Sequence, residues 1–108
     1  MLLTPFAADA QDDLTQKFVF CIQGTIRRNT YQFAADAYDA IYASSFAAEK
    51  ENVTPDMSVS DICEAMKKGM TEISLEGLTG TITWTASGEP DKEPKAVKIE
   101  NGAYTAME

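Results

Sequence analysis

The sequence predicts one domain of three helices followed by antiparallel strands. Three observations carry this reading. Apolar residues recur at helical spacing through the first two helices and a third after Pro55. From Leu75 the period changes to two. The segments are separated by turn residues such as Pro55, Ser87-Gly88-Glu89-Pro90 and Asn101-Gly102.

The first helix is expected over 9–23. Asp12 and Asp13 suit the positive end of a helix dipole, and Leu14, Phe18, Val19 and Ile22 form its apolar face. Phe6 is placed to staple the chain into it. The period then fails: Gln23 to Thr30 holds a glycine and β-branched residues, and reads as an irregular loop or part of a strand.

The second helix, 32–50, has the clearest pattern. Ala34, Ala37, Tyr38, Ile41, Tyr42 and Ser45 recur at helical spacing as its apolar face, and the small alanines allow close approach to a neighbour. The third helix is expected over 58–69, with Ser58 as N-cap and Asp61 three residues on. Val59, Ile62, Cys63, Met66 and Met70 form its apolar stripe, and Gly69 or a neighbour ends it. Strands follow over 79–85, where Ile82 and Trp84 alternate with threonines, and over 95–100, with Val97 and Ile99 on the returning strand. After Asn101-Gly102, Ala103 to Met107 is a candidate last strand.

Composition narrows the function. Nine basic and 17 acidic residues give a net charge of −8, which repels phosphate backbones and anionic lipid, so no nucleic-acid partner is expected. The chain has no His, which removes Ser-His-Asp and Cys-His catalysis and every His-containing metal site. No apolar run approaches the roughly 20 residues that span a bilayer. Met1-Leu2-Leu3 is not followed by a signal-peptide pattern, so the chain is expected to be intracellular or to have its export signal elsewhere. Cys21 and Cys63 do not make a disulfide framework and are expected as free thiols, with Cys63 packed on its helical stripe.

Candidate chemistry is sparse. Asp36 and Asp39 lie one turn apart, but two carboxylates do not make a metal site, and exposed helical acids usually face solvent. The glycines at 77, 80 and 88 mark turns around strands; they do not open a helix as a phosphate loop does. Phe33, at the start of the second helix, is either core or the aromatic wall of a pocket with backbone N–H groups nearby. No catalytic group, metal or cofactor is expected, and the chain is not read as an enzyme.

Two longer motifs carry a resemblance. Gln32-Phe33-Ala34-Ala35-Asp36-Ala37-Tyr38-Asp39-Ala40-Ile41-Tyr42 resembles the Tyr-Asp-Ala helix of branched-chain amino-acid-type substrate-binding proteins of ABC transporters. Gly77-Leu78-Thr79-Gly80-Thr81-Ile82-Thr83-Trp84 resembles their G-x-T-G-x-I-x-F element, followed as there by Ser87-Gly88-Glu89 and Val97-Lys98-Ile99-Glu100-Asn101-Gly102. Thr4-Pro5-Phe6 looks like the strand leading out of one lobe. The resemblance runs from about Leu3 to Tyr104.

It implies an α/β fold of the periplasmic-binding-protein-like type I, a three-layer αβα architecture with solute bound between two lobes. Family members are several times longer, so residues 1–108 resemble a single partial domain, the C-terminal part. A piece of this kind lacks the parallel strands its helices cover. Their apolar faces then need another partner: a rearranged packing, a second copy making a homodimer, or the missing segment. A domain swap through the final hairpin is one solution. The resemblance also implies an amino acid-like solute, delivery to a membrane permease, and a periplasmic or outer-surface location. By resemblance Phe33 packs on the ligand side chain, and Asp36 serves an amino group or the lobe edge. The groups that grip an amino acid's carboxylate and ammonium are expected in the missing part. The alternative is a stand-alone dimeric interaction module derived from such a protein.

One departure stands out. The family usually ends its first helix in A-Y-K-x-x-Y-G-x-x-P, where this chain has Cys21 to Thr30. One permitted codon choice for this segment, read one base later, encodes Ala-Tyr-Lys-Ala-Gln-Tyr-Gly-Glu-Thr-Pro. A compensated pair of frameshifts is the expectation that follows.

Overall fold

A computed structural model describes residues 2–4 and 6–107. The order is β1 (Leu2–Thr4), α1 (Asp13–Ile26), α2 (Gln32–Lys50), α3 (Val59–Glu72), β2 (Leu75–Gly77), β3 (Gly80–Trp84), β4 (Pro90–Asp91), β5 (Lys95–Glu100) and β6 (Ala103–Ala106). Three helices and antiparallel strands are therefore present, ending in the β5–β6 hairpin. Of the Thr4-Pro5-Phe6 motif, Thr4 closes β1 and Phe6 is buried, while Pro5 lies outside the described residues.

Asp12 caps α1, accepting a hydrogen bond from the Thr15 amide at 2.9 Å, so the helix begins later than the acidic run suggests. It also runs on through Gly24 to Ile26, because one interior glycine costs only about 1 kcal/mol. Arg27, in the left-handed conformation with φ 57°, ends it, donating to the Gln23 carbonyl. Of the segment read as irregular loop or strand, 23–26 is helix and 27–30 is irregular loop.

Ser58 caps α3 by accepting from the Asp61 amide at 3.1 Å. Gly69 does not end this helix. It is buried where α3 crosses α2, and a Cβ there would lie 2.7 Å from the Ala47 carbonyl oxygen. The glycine is a contact point that lets two backbones approach. The α3 stripe is only half covered: Met70 packs inward, Val59 is exposed, and Cys63 is exposed rather than packed.

The face of α2 that meets the protein is not the one its periodicity suggests. Ala35, Asp39, Ala43 and Ala47 are buried, while Ala34, Ala37, Ile41, Tyr42 and Ser45 of the expected stripe are exposed and its Tyr38 is half-buried against Phe18. Small residues at every fourth position let α3 and the β2–β3 turn seat closely, and a hydrogen-bonded Asp39 replaces an apolar residue there.

The strands form two antiparallel sheets, ordered β1-β5-β6 and β2-β3-β4. The strand holding Ile82 and Trp84 pairs with β2 and β4, whereas Val97 and Ile99 pair with β1 and β6. The two-residue strand β4 takes the β3 edge, so residues 92–94 carry the chain away to the other sheet. Asn101-Gly102, both with positive φ, turn β5 into β6.

Two small cores result among the described residues. Phe6, Phe18, Ala35 and Leu78 form one, and Ala43, Leu75 and Ile82 the other. The chain measures 52 × 30 × 19 Å with a radius of gyration of 16.2 Å, against about 13 Å for a compact chain of this length. It exposes 7650 Å², where a compact monomer of this mass exposes about 5,900 Å².

Candidate functional site

The first turn of α2 is where the two sheets meet the helices. Thr4, at the end of β1, donates its hydroxyl to Gln32 Oε1 at 3.0 Å. Lys92, on the segment joining the sheets, donates to Asp36 Oδ1 at 3.3 Å and to Thr79 Oγ1 at 3.2 Å. Both chain passages between the halves are thereby tied to the first two turns of α2.

Phe33 projects from the same turn and is 82 % exposed. It lines an apolar cavity of about 480 Å³ with Leu3, Phe6, Tyr31, Val97 and Tyr104. Phe33 thus belongs to neither core of this chain and lies on the rim of this cavity. Thr30 also lines the cavity; it is buried, and its hydroxyl has no hydrogen-bond partner among the described residues. Tyr31 supplies no side-chain cap to α2, and the first turn has no acidic residue, so the positive end of the helix dipole is uncompensated by side chains there.

Asp36, one turn further on, lies in a different cavity of about 410 Å³, with Gln32, Ile82, Trp84 and Lys92 among its walls. The structure therefore places Phe33 and Asp36 one turn apart on α2 without bringing them into one cavity. Asp36 is occupied by its ion pair with Lys92, both side chains partly buried.

Sequence reading named Asp39 only as one half of a carboxylate pair with Asp36, and it gave Thr79 and Lys92 no role at the site. Asp39 is buried and accepts hydrogen bonds from the Leu78 amide at 2.8 Å, the Thr79 amide at 2.9 Å and the Thr79 hydroxyl at 2.7 Å. Three donors replace the water that this carboxylate loses on burial. The available signal was its place in the Ala35–Asp39–Ala43–Ala47 series, together with the turn glycines around Thr79. Asp36 and Asp39 are not solvent-facing as the general expectation for helical acids has it. One is ion-paired and the other holds the β2–β3 turn.

No family model matches the chain, and no curated protein is detectably similar to it in sequence. Solved structures are similar. An ABC transporter substrate-binding protein from Desulfitobacterium hafniense superposes on 94 % of this chain with a TM-score of 0.75 and 18 % identity. The structure of such a protein from that organism in complex with Leu gives 94 %, 0.75 and 19 %. A protein of Rhodospirillum rubrum described as a branched-chain amino acid ABC transporter covers 98 % of this chain, with a TM-score of 0.71 and 20 % identity. The chain has the fold of part of an ABC transporter substrate-binding protein. It spans 29 to 30 % of the length of these proteins.

Proposed function

We propose that the chain is the C-terminal portion of the solute-binding component of an ABC transporter. The whole protein takes an amino acid or similar small polar solute between two lobes and hands it to a membrane permease. It works in the periplasm or at the outer cell surface, with no catalytic step and no cofactor. The observation that carries this reading is the superposition of nearly the whole chain, at a TM-score of 0.75, on less than a third of substrate-binding proteins. The sequence motifs and the exposed Phe33 support it.

Phe33 packs on the apolar part of the solute from the rim of its cavity. Asp36, engaged by Lys92, serves the lobe edge rather than the solute's ammonium group. The groups that hold the solute's charged ends lie in the remainder of the protein, so this chain alone binds solute poorly.

The test starts with the DNA upstream of this chain and across codons 20 to 32. The reading expects two-lobe sequence there. The complete product is then titrated calorimetrically with leucine and a panel of other amino acids. Saturable binding is expected, weakened about tenfold, or ~1.4 kcal/mol, by Phe33→Ala. An upstream region with no lobe sequence overturns the reading, and an unchanged affinity in Phe33→Ala removes the role of that residue.

A further inference from the structure

We infer that the cavity at the start of α2 is an oxyanion site. The solute reaches it side chain first, with its apolar stretch on Phe33 and a terminal carboxylate against the helix. The inference rests on the proposed role of Phe33. It narrows the solute to amino acids, or similar small molecules, whose side chain ends in a carboxylate.

The argument begins with what the walls lack. None of the chain's 17 acidic residues lines this cavity. Its apolar walls, Leu3, Phe6, Val97 and Phe33, suit methylene groups. Its polar walls leave donors unused. Thr4 donates to Gln32 Oε1 at 3.0 Å, which takes up the oxygen of that side chain and leaves its NH2 group as the free part.

The helix adds two further donors. α2 runs Gln32–Lys50, with no side-chain cap at Tyr31 and no acid in its first turn. The Gln32 and Phe33 amides precede the first intrahelical bonds and have no acceptor among the described residues. A helix start alone does not define a site, and Thr30 supplies the independent sign of a ligand. It lines the same cavity, is only 7 % exposed, and its hydroxyl has no partner among the described residues. A buried hydroxyl left unpaired is costly, and a ligand oxygen that accepts from it recovers the loss.

A carboxylate is the group that these donors fit. It accepts several hydrogen bonds at once, and two or three from backbone amides keep it ionised away from water. The positive end of the helix dipole favours it and disfavours a cation. A purely aliphatic side chain would leave the same donors unpaired. A site built on hydrogen bonds rejects such an analogue more strongly than an apolar wall rejects a methylene. The volume of about 480 Å³ admits a solute of this size.

The test uses the chain as it stands, with butyrate as the probe and 1-butanol as the same apolar body without the charge. Butyrate is expected to shift the Gln32 and Phe33 amide resonances saturably, with a dissociation constant of about 1 to 10 mM. Butanol is expected to bind at least about tenfold more weakly. Gln32→Glu keeps an acceptor for Thr4 but sets the chain's own carboxylate at the helix start, and is expected to weaken butyrate binding at least about tenfold. Thr30→Val keeps the shape and removes the hydroxyl. It is expected to weaken binding about fivefold while leaving the Tm unchanged or raised, because the hydroxyl is unpaired without ligand. Shifts that do not saturate, equal binding of butanol, or butyrate binding that both variants leave unchanged overturns the inference. So does a Thr30→Val variant with a markedly lower Tm, which would give the hydroxyl a structural role. None of these outcomes bears on the transporter reading itself, which the upstream DNA decides.

Discussion

Asp39, in the middle of α2, holds Thr79 by both its amide and its hydroxyl, at 2.9 and 2.7 Å from the same carboxylate oxygen, Oδ2. Forty residues of sequence separate the two. The contact fixes the β2–β3 turn on the helix. Gly77 completes it, since a Cβ there would sit 2.5 Å from the Asp39 carboxyl atoms. Asp39→Ala leaves buried amides without acceptors and is expected to cost about 3 kcal/mol. Gly77→Ala is expected to cost about 2 kcal/mol by overpacking. The double variant should fall short of the sum by at least about 1 kcal/mol, because Asp39→Ala removes the group that the new methyl strikes. Urea unfolding of the four proteins measures this. Strict additivity would mean the carboxylate and the glycine do not share one site.

Two glycines within helices are expected to respond in opposite directions to the same substitution. Gly24 in α1 has nothing within 4 Å of its would-be Cβ. Gly24→Ala then adds only helix propensity and stabilises by up to about 1 kcal/mol. Gly69→Ala gains the same propensity but drives a methyl to 2.7 Å from the Ala47 carbonyl and 3.1 Å from the Glu51 side chain. Backbone cannot yield as a flexible side chain can, so the clash wins and the net cost is about 1 to 2 kcal/mol. Thermal unfolding distinguishes the pair. Equal signs would contradict the helix-crossing role of Gly69.

The same distinction explains how much of the fold was legible. Helix existence followed from periodicity, and the Ser58 cap and Asn101-Gly102 turn followed from residue chemistry, because these are local properties. The side of α2 that is buried was not. Its outward face reads as the apolar stripe, whereas the buried one contains Asp39, whose cost is offset only by donors forty positions away. Strand pairing failed for a related reason. Period two defines a strand without naming its partner, and β1 and the short β4 took the places the hairpin reading gave to β3 and β5. At the candidate site, Phe33 was legible only as either core or the wall of a pocket. Lys92 carried no motif, and its contacts with Asp36 and Thr79 exist only because the link between the sheets crosses the helix.

Stability should depend on acid through the cap of α1. Partial burial pushes the Asp12 carboxyl pKa up, but the hydrogen bond from the Thr15 amide and the charge of Lys95 outweigh this and leave it below the usual 3.8. A depressed folded value means the cap stabilises at pH above the unfolded value and is lost as pH falls through the folded one. Asp12→Ala is therefore expected to cost about 1 kcal/mol at neutral pH. The gap to the parent chain should close as the pH is taken below 3.8. A gap that persists undiminished in acid would mean the side chain acts by something other than its charge-assisted bond to Thr15.

Phe33 and Phe18 separate a pocket wall from a core aromatic by stability alone. Phe18 is 9 % exposed, packs edge-on against Phe6 at 6.2 Å between ring centroids, and touches Tyr38 at 5.2 Å. Its removal takes out the centre of one of two small cores, so Phe18→Ala is expected to cost about 3 to 4 kcal/mol. Phe33 is 82 % exposed, and its ring gains little from folding in this chain. Phe33→Ala is expected to change stability by less than about 0.5 kcal/mol. Chemical denaturation of both variants reads the difference directly. A loss at Phe33 comparable to that at Phe18 would make it a core residue and remove the reason to seek a ligand at its cavity. A neutral result is the one expected of a residue whose contacts lie outside this chain.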